Sequence, residues 1–278
     1  MSGSRYDDLA RPPLDADVLA KRLVGPGTWW RGITVLPRTE STNADLASAA
    51  RDDAPEGTAI VADHQSGGRG RLGRTWTFPP RSGFALSMLV RPDTVPQERW
   101  PWLPLLTGIS AYEALRDVAG VDAELKWPND VLAGGRKLAG ILVERIETPT
   151  GPAAVIGIGL NISLTEDELP VPTATSLALA GATTTDRSVI VRALMRTFEP
   201  LYRAWAAAEG DPAEGMLASY VRRCSTIGRT VAVHMPDGST LDGQAEAVDG
   251  EGRLVVVDDV GSRHSLRVGD VVHVRPQG

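Results

Sequence analysis

Apolar positions along the chain change period several times, and each change predicts an element. Leu14, Val18, Leu19 and Leu23 recur at helical spacing and stop at Gly25, Pro26 and Gly27. A second helical run spans residues 44–51, where a hydroxyl ahead of the run and Asp45 beyond it predict an N-cap at Thr42. Residues 58–63 and 84–90 read as strands. After Trp102, the residues Leu105, Leu106, Ile109, Tyr112, Leu115 and Arg116 lie close to helical spacing and end at Gly120. Residues 124–132, 137–146 and 153–162 predict three successive strands of a buried sheet, joined by glycine turns. Ile190, Leu194, Phe198, Leu201 and Trp205 mark a long helix with an expected kink at Pro200, and Asp211-Pro212 with Glu214 opens another. Beyond Ser225 the pattern shortens to strands over residues 230–235, 241–248, 254–257 and 271–274, with a Pro236-Asp237-Gly238 turn after the first.

This order predicts a mixed α/β (α+β) unit followed by a small all-β, barrel-like unit. The expected division is an N-terminal segment over residues 1–35, too short for a winged helix domain, a large domain over 36–225 and a small one over 226–278. At 278 residues, 42% of them hydrophobic, the chain can bury a substantial core. No apolar run approaches the roughly 20 residues of a membrane-spanning helix, and residues 1–19 lack the apolar centre of a signal peptide. A cytoplasmic protein without a membrane partner is expected. The net charge of −6 argues against DNA or RNA bound along a broad basic face. Cys224 is the only cysteine, so no internal disulfide forms and a buried apolar role is expected for it. Lys21, Lys126 and Lys137 are the only lysines, and two of them fall inside the motifs below.

Gly68-Arg69-Gly70-Arg71-Leu72-Gly73 matches the dinucleotide-binding spacing after a strand, but Arg74-Thr75-Trp76-Thr77-Phe78-Pro79-Pro80 follows and cannot form the helix that would hold a pyrophosphate. What remains is a mobile loop whose backbone N–H groups and forked cations Arg69, Arg71 and Arg74 suit phosphate; the alternative is a solvated basic loop. Lys126-Trp127-Pro128-Asn129-Asp130 sets a lysine, an amide and a carboxylate beside a large apolar anchor. Such a cluster can hold a nucleotide, with Asp130 offering oxygen to Mg2+, or can be a strand-end turn that satisfies its own backbone. Small residues at Ala139 and Gly140 after Lys137, and Gly157-Ile158-Gly159-Leu160-Asn161, place glycines inside strands, which calls for a bulge or a closely approaching ligand.

Taken together, these segments resemble the biotin protein ligases, whose motifs Gly-Arg-Gly-Arg-x-Gly-Arg-x-Trp, Lys-Trp-Pro-Asn-Asp, Lys-x-x-Gly-Ile-Leu and Gly-x-Gly-x-Asn all occur here in family order, from about Leu36 onward. The resemblance implies a catalytic domain related to class II aminoacyl-tRNA synthetases, an SH3-like C-terminal domain, and activation of biotin with ATP and Mg2+ before transfer to a lysine of a biotin carboxyl carrier protein. It implies a biotin site of Ser41, Thr42, Asn43, Gln65, Gly68, Arg69, Gly70, Arg71, Lys137, Gly140 and Gly159. Arg69, Arg71, Arg74, Trp76, Lys126, Asn129, Asp130, Lys137 and Asn161 are implied for the nucleotide, Asp130 for the metal, and Lys137, Arg69 and Arg71 for catalysis. Leu72 and Gly67 depart from the pattern, which costs one loop charge but leaves Arg69 and Arg71. The Arg-x-x-Gly-Gly-Gly-x-Val-x-His-Asp string of the related lipoate ligases is absent.

Overall fold

The computed structural model describes residues 11–235, 237–267 and 270–273. A seven-stranded sheet runs in the order β1 (Gly32–Leu36), β2 (Thr58–Ala62), β3 (Gly83–Val90), β7 (Gly151–Asn161), β6 (Arg136–Thr148), β5 (Asp130–Ala133) and β4 (Ala123–Lys126). Only β1 and β2 pair in parallel. The helix between them, α2 (Thr42–Arg51), is the crossover a parallel pair needs.

One face of the sheet carries the main core. Phe84, Leu86 and Met88 of β3 pair with Leu160, Ile158 and Ile156 of β7 and share one core with α3 (Trp102–Ala119), a mostly apolar helix stopped by Gly120 at φ 65°. Against it pack α4 (Arg187–Ala207) and α5 (Ala213–Arg223), and α1 (Ala16–Leu23) packs on α4 and β1. The opposite face is only partly covered. There Leu46 and Ala50 of α2 sit on Leu89, Val155 and Ile146, and the remaining surface carries small residues that leave a hollow.

Several sequence expectations are corrected. Residues 124–132 do not form one strand, because Pro128 cannot donate to a sheet ladder; the chain turns there and β4 and β5 pair with Lys126 opposite Asp130. The cap of α2 is Ser41, not Thr42, and Asp45 accepts from the Thr39 hydroxyl at 2.5 Å instead of closing a box. Helix α5 begins after Pro212, one residue later than expected, while α4 is one long helix with Pro200 inside it, as the spacing predicts. Val18 is exposed, while Leu19 and Leu23 are buried. Strand β1 crosses residue 35, so the N-terminal stretch joins the main sheet. Asp63 and Arg187, both buried, pair at 2.6 Å, and Asp63 also accepts from Leu14 N, tying that stretch to the end of β2.

The small unit is a five-stranded antiparallel sheet, ordered β11 (Arg263–Leu266), β10 (Leu254–Val257), β9 (Thr240–Val248), β8 (Thr230–His234) and β12 (Asp270–His273). The sequence pattern missed β1 and β11; Val274, Pro236 and the Glu214 side chain lie outside the described residues. The unit is seated on the large one by Trp102 Nε1 and Trp127 Nε1, which donate to the carbonyls of Gly250 and Gly252. Cys224 is free and buried, as expected. No helix among the described residues is long and apolar enough to cross a membrane.

Candidate functional site

The hollow on the open face of the sheet is floored by Ala85 of β3, Gly157 and Gly159 of β7 and Gly140 of β6. A methyl at Gly157 would stand 2.3 Å from Asn43 Oδ1, one at Gly159 2.2 Å from Trp76 Nε1, and one at Gly140 3.2 Å from Lys137 Cε. The strand glycines therefore make room for three side chains that reach across the floor.

At one end the walls are neutral and polar. Ser41 caps α2, and Thr42 gives both its backbone N–H (2.7 Å) and its hydroxyl (2.9 Å) to Gln65 Oε1. That pair fixes the Gln65 amide with Nε2, a donor, facing away from Thr42 and beside Gly68, where a methyl would lie 2.8 Å from it. Asn43 is fixed the other way round. Its Nδ2 donates to Glu144 Oε2 at 2.7 Å, and its Oδ1 lies 2.6 Å from Ser87 Oγ. Ser87 Oγ is also 2.8 Å from Thr42 Oγ1, so its one proton is shared between two acceptors. This end thus offers a ligand both a donor and acceptors with set orientations.

The other end is cationic. The β4–β5 turn presents Lys126 and Asp130 side by side, and Asn129 is anchored by donating to Ile141 O at 2.7 Å. The register of β5 against β6 slips between Val131 and Leu132, a bulge that leaves Leu138 and Ala139 both in the core. Lys137 then shares the cavity face with Gly140, three residues on, and its Nζ lies 2.6 Å from Asp130 Oδ1 and 5.7 Å from the Trp76 ring centre. Plain alternation would put the two on opposite faces.

The glycine- and arginine-rich loop closes the hollow as a small hairpin. Arg69 bridges Thr75, Gly70 N donates to Arg74 O at 2.7 Å, and a single 3-10 turn covers Arg71–Gly73 where a dinucleotide fold would start a helix. Arg71 Nη1 reaches Asn129 Oδ1 at 3.4 Å, linking the loop to the β4–β5 turn. Trp76 folds its indole onto the glycine floor, and its buried Nε1 has no hydrogen-bond partner.

Of the residues singled out from sequence, Ser41, Thr42, Asn43, Gln65, Arg69, Gly70, Arg71, Arg74, Trp76, Lys126, Asn129, Asp130, Lys137, Gly140 and Gly159 all line this one cavity. Two stand slightly apart. Gly68 lies on the outer groove of the loop, and Asn161 lines an adjoining groove with Lys126, Lys137, Arg229 and His273. Sequence reading missed Ser87 and Glu144, which sit in ordinary strand patterns, and the small unit's Val271 and His273. His273 Nε2 lies 3.2 Å from Thr226 Oγ1, and burial, with the charges of Lys126 and Arg229, brings its pKa down to about 4.

Among the described residues no cluster of three acids, histidines or cysteines could cage a metal. Mg2+ does not need one, since it commonly takes one or two carboxylates and completes its shell with water and phosphate oxygens. Asp130, with the buried and unpartnered Oδ1 of Asn161 on the same groove, fits that mode.

Comparison with known proteins follows the same division. Residues 35–161 match the Biotin/lipoate A/B protein ligase family, and residues 226–274 match the Biotin protein ligase C terminal domain. A biotin–(acetyl-CoA-carboxylase) ligase of Mycobacterium tuberculosis is 41% identical over 273 residues, covering 96% of this chain and 98% of that one. The bifunctional ligase/repressor BirA of Bacillus subtilis is 33% identical over 231 residues, 82% of this chain and 69% of that one. The fold also matches the biotin protein ligase of Aquifex aeolicus in complex with biotin and ATP, with a TM-score of 0.72, 24% identity and coverage of 88% of this chain and 100% of that one.

Proposed function

The chain belongs to the biotin protein ligase family, and from that premise we propose how its own residues divide the work. It is an ATP-dependent ligase: the carboxylate of biotin attacks the α-phosphorus of ATP, a carboxylate oxygen–phosphorus bond forms, and pyrophosphate leaves. The amine of an acceptor lysine then attacks the acyl carbon, and AMP departs with the anhydride oxygen.

The observation that carries the residue roles is that one cavity holds an oriented neutral end and a cationic end over a floor of glycines. A ureido ring carries one carbonyl flanked by two N–H groups. Gln65 Nε2 suits the carbonyl, while Asn43 Oδ1 and the hydroxyls of Ser41 and Thr42 suit the N–H groups. The chain of biotin would then cross Gly159 and Gly140 toward Lys137, with Arg69, Gly70 and Arg71 covering it and Gly68 letting the loop pack close to Gln65.

Bringing a carboxylate to a phosphate sets like charges together, so the site must supply cations already in place. Lys137 and Arg69 and Arg71 of the loop have this role, with Arg74, Lys126, Asn129 and Asn161 along the phosphates and Trp76 against the adenine. Asp130, with Asn161 on the same groove, would hold the Mg2+ that accompanies ATP, and the ion would supply neutralisation of phosphate charge there. The loop hairpin keeps water from the mixed anhydride until the acceptor arrives. The acceptor is the carrier domain of an acyl-CoA carboxylase; a cytoplasmic setting, where ATP is available, and no part in DNA binding complete the reading. Residues 36–225 perform the chemistry, Arg229, Val271 and His273 of the small unit close one side of the groove, and the described N-terminal residues from 11 to 35 brace the fold.

Mass spectrometry of a purified carrier domain incubated with the protein, ATP, Mg2+ and either biotin or lipoate tests this. Mass gain with biotin alone is expected. A gain with lipoate only, or none with either, would overturn it.

A further inference from the structure

Asn43 can serve as an acceptor for a ring N–H only if its amide stays one way round, since the flipped amide would present two donors to a donor. Every polar atom of that amide is engaged by the protein. Nδ2 donates to Glu144 Oε2 at 2.7 Å and, more weakly, to Leu142 O at 3.4 Å; Oδ1 sits 2.6 Å from Ser87 Oγ and over Gly157, where a methyl would be 2.3 Å away. Of these partners Glu144 discriminates most strongly between the orientations. A carboxylate cannot donate, so Glu144 requires Nδ2, whereas the Ser87 hydroxyl can donate or accept and tolerates either end. The Leu142 carbonyl agrees with Glu144 but its contact is long.

Glu144 is half-buried on β6, on the same face as Gly140 and Leu142, and lines the groove under the loop with Arg69 and Arg71. Glycine and leucine floor the groove next to it, and the neighbouring Ile146 on this face belongs to the small apolar cluster under α2, so Glu144 is the carboxylate on this face of β6 that stands within reach of Asn43. Among the described residues, its side chain hydrogen-bonds Asn43.

We propose that Glu144 is a positioning residue for the biotin ring: it locks the Asn43 amide with Oδ1 as an acceptor and so makes the pocket select a ligand that carries an N–H at that point. The inference rests on the reading of Asn43 as a biotin contact. It acts through Asn43 and needs no contact of its own with biotin or nucleotide.

The test is steady-state biotinylation of a carrier domain by the full chain, with KM for biotin, KM for ATP and kcat measured separately for Asn43→Ala, Glu144→Ala and Glu144→Gln. Glu144→Ala should raise the KM for biotin about tenfold, with kcat and the KM for ATP nearly unchanged, because ground-state binding alone is disturbed. Glu144→Gln keeps the volume and can pair with either end of the amide, so it should give a smaller rise. It should also narrow the preference for biotin over a ring N-methyl analogue. If Asn43→Ala raises the KM for biotin but both Glu144 variants bind biotin and reject the analogue like the wild type, the positioning role is wrong. A fall in kcat with a rise in both KM values, or an Ala variant that melts early while Gln behaves as wild type, assigns Glu144 to the fold and also overturns it. If Asn43→Ala leaves the KM for biotin unchanged, the failure lies in the reading of Asn43 itself.

Discussion

Lys137 Nζ lies 2.6 Å from Asp130 Oδ1, and the pair exists only because a bulge in β6 turns Lys137 onto the cavity face above Gly140, the residue directly opposite Asp130. Both side chains are partly exposed, at 33% and 21%, so the contact is a holding arrangement and not a stabilising core pair. An anion entering the cavity would compete with Asp130 for Lys137, and a divalent cation would compete with Lys137 for Asp130; a magnesium-bound nucleotide would bring both.

If Lys137 serves the α-phosphate as proposed, Lys137→Ala should cost on the order of 3 kcal/mol in the barrier to adenylate formation, the size seen when a preorganised donor to a developing charge is lost. Biotin-dependent exchange of labelled pyrophosphate into ATP measures that step alone. Near-normal exchange would remove Lys137 from the chemistry.

The rare residue types were what made the site legible in the sequence. Glycines inside strands at 140, 157 and 159, arginines interleaved with glycines at 69 and 71, and scarce lysines at 126 and 137 each break a local rule, and each proves to line one cavity. Ser87 and Glu144 break none, since a polar residue at alternate strand positions is what any half-exposed strand shows. The β4–β5 hairpin was hidden because Leu125, Val131 and Leu132 keep the composition of a strand on both sides of Pro128, where the proline was the better guide. Ile33, Thr34 and Val35 carried a strand signal for β1, whereas Arg263–Leu266 has little strand preference of its own and owes its state to pairing with β10. The bulge that aims Lys137 is a register fact, set between strands, and leaves no mark in one strand's sequence.

Gly159→Ala should unseat Trp76, because the new methyl would stand 2.2 Å from Nε1 and 2.4 Å from the ring carbon Cε2. Overpacking of this kind costs about 1–3 kcal/mol. Adding Trp76→Ala to the same chain should recover most of the lost urea stability while leaving biotinylation impaired, since it removes the obstacle together with the cavity wall proposed to meet the adenine. If the two substitutions were simply additive in stability, the indole would not be resting on Gly159.

Arg71→Gly breaks the 3.4 Å contact to Asn129 and frees the loop hairpin from the β4–β5 turn. Adenylate should still form but escape before the acceptor arrives. Incubation with ATP, biotin and a bystander protein lacking any carrier domain would report the escape as lysine labelling that the wild type does not give. Equal labelling by both proteins would show that other contacts hold the loop down.

His273 predicts an acid weakness at the seam between the two units. Its pKa lies at about 4, against an ordinary value of 6.5, because burial and the charges of Lys126 and Arg229 disfavour the protonated ring. Between those two values the unfolded chain takes up a proton that the folded chain refuses. The stability tied to neutral His273 is therefore complete above about pH 6.5 and is lost as the pH falls toward about 4. His273→Gln keeps a group able to meet Thr226 but has no such proton to take up, so it should lose less urea stability than the wild type when the pH is lowered from neutral to the acid end of that window. Carboxylates titrate in both proteins and cancel in the comparison. Parallel losses in the two would mean that the imidazole is as easily protonated in the fold as in the free chain, and the packing of β12 against Lys126 would then not be as close as described.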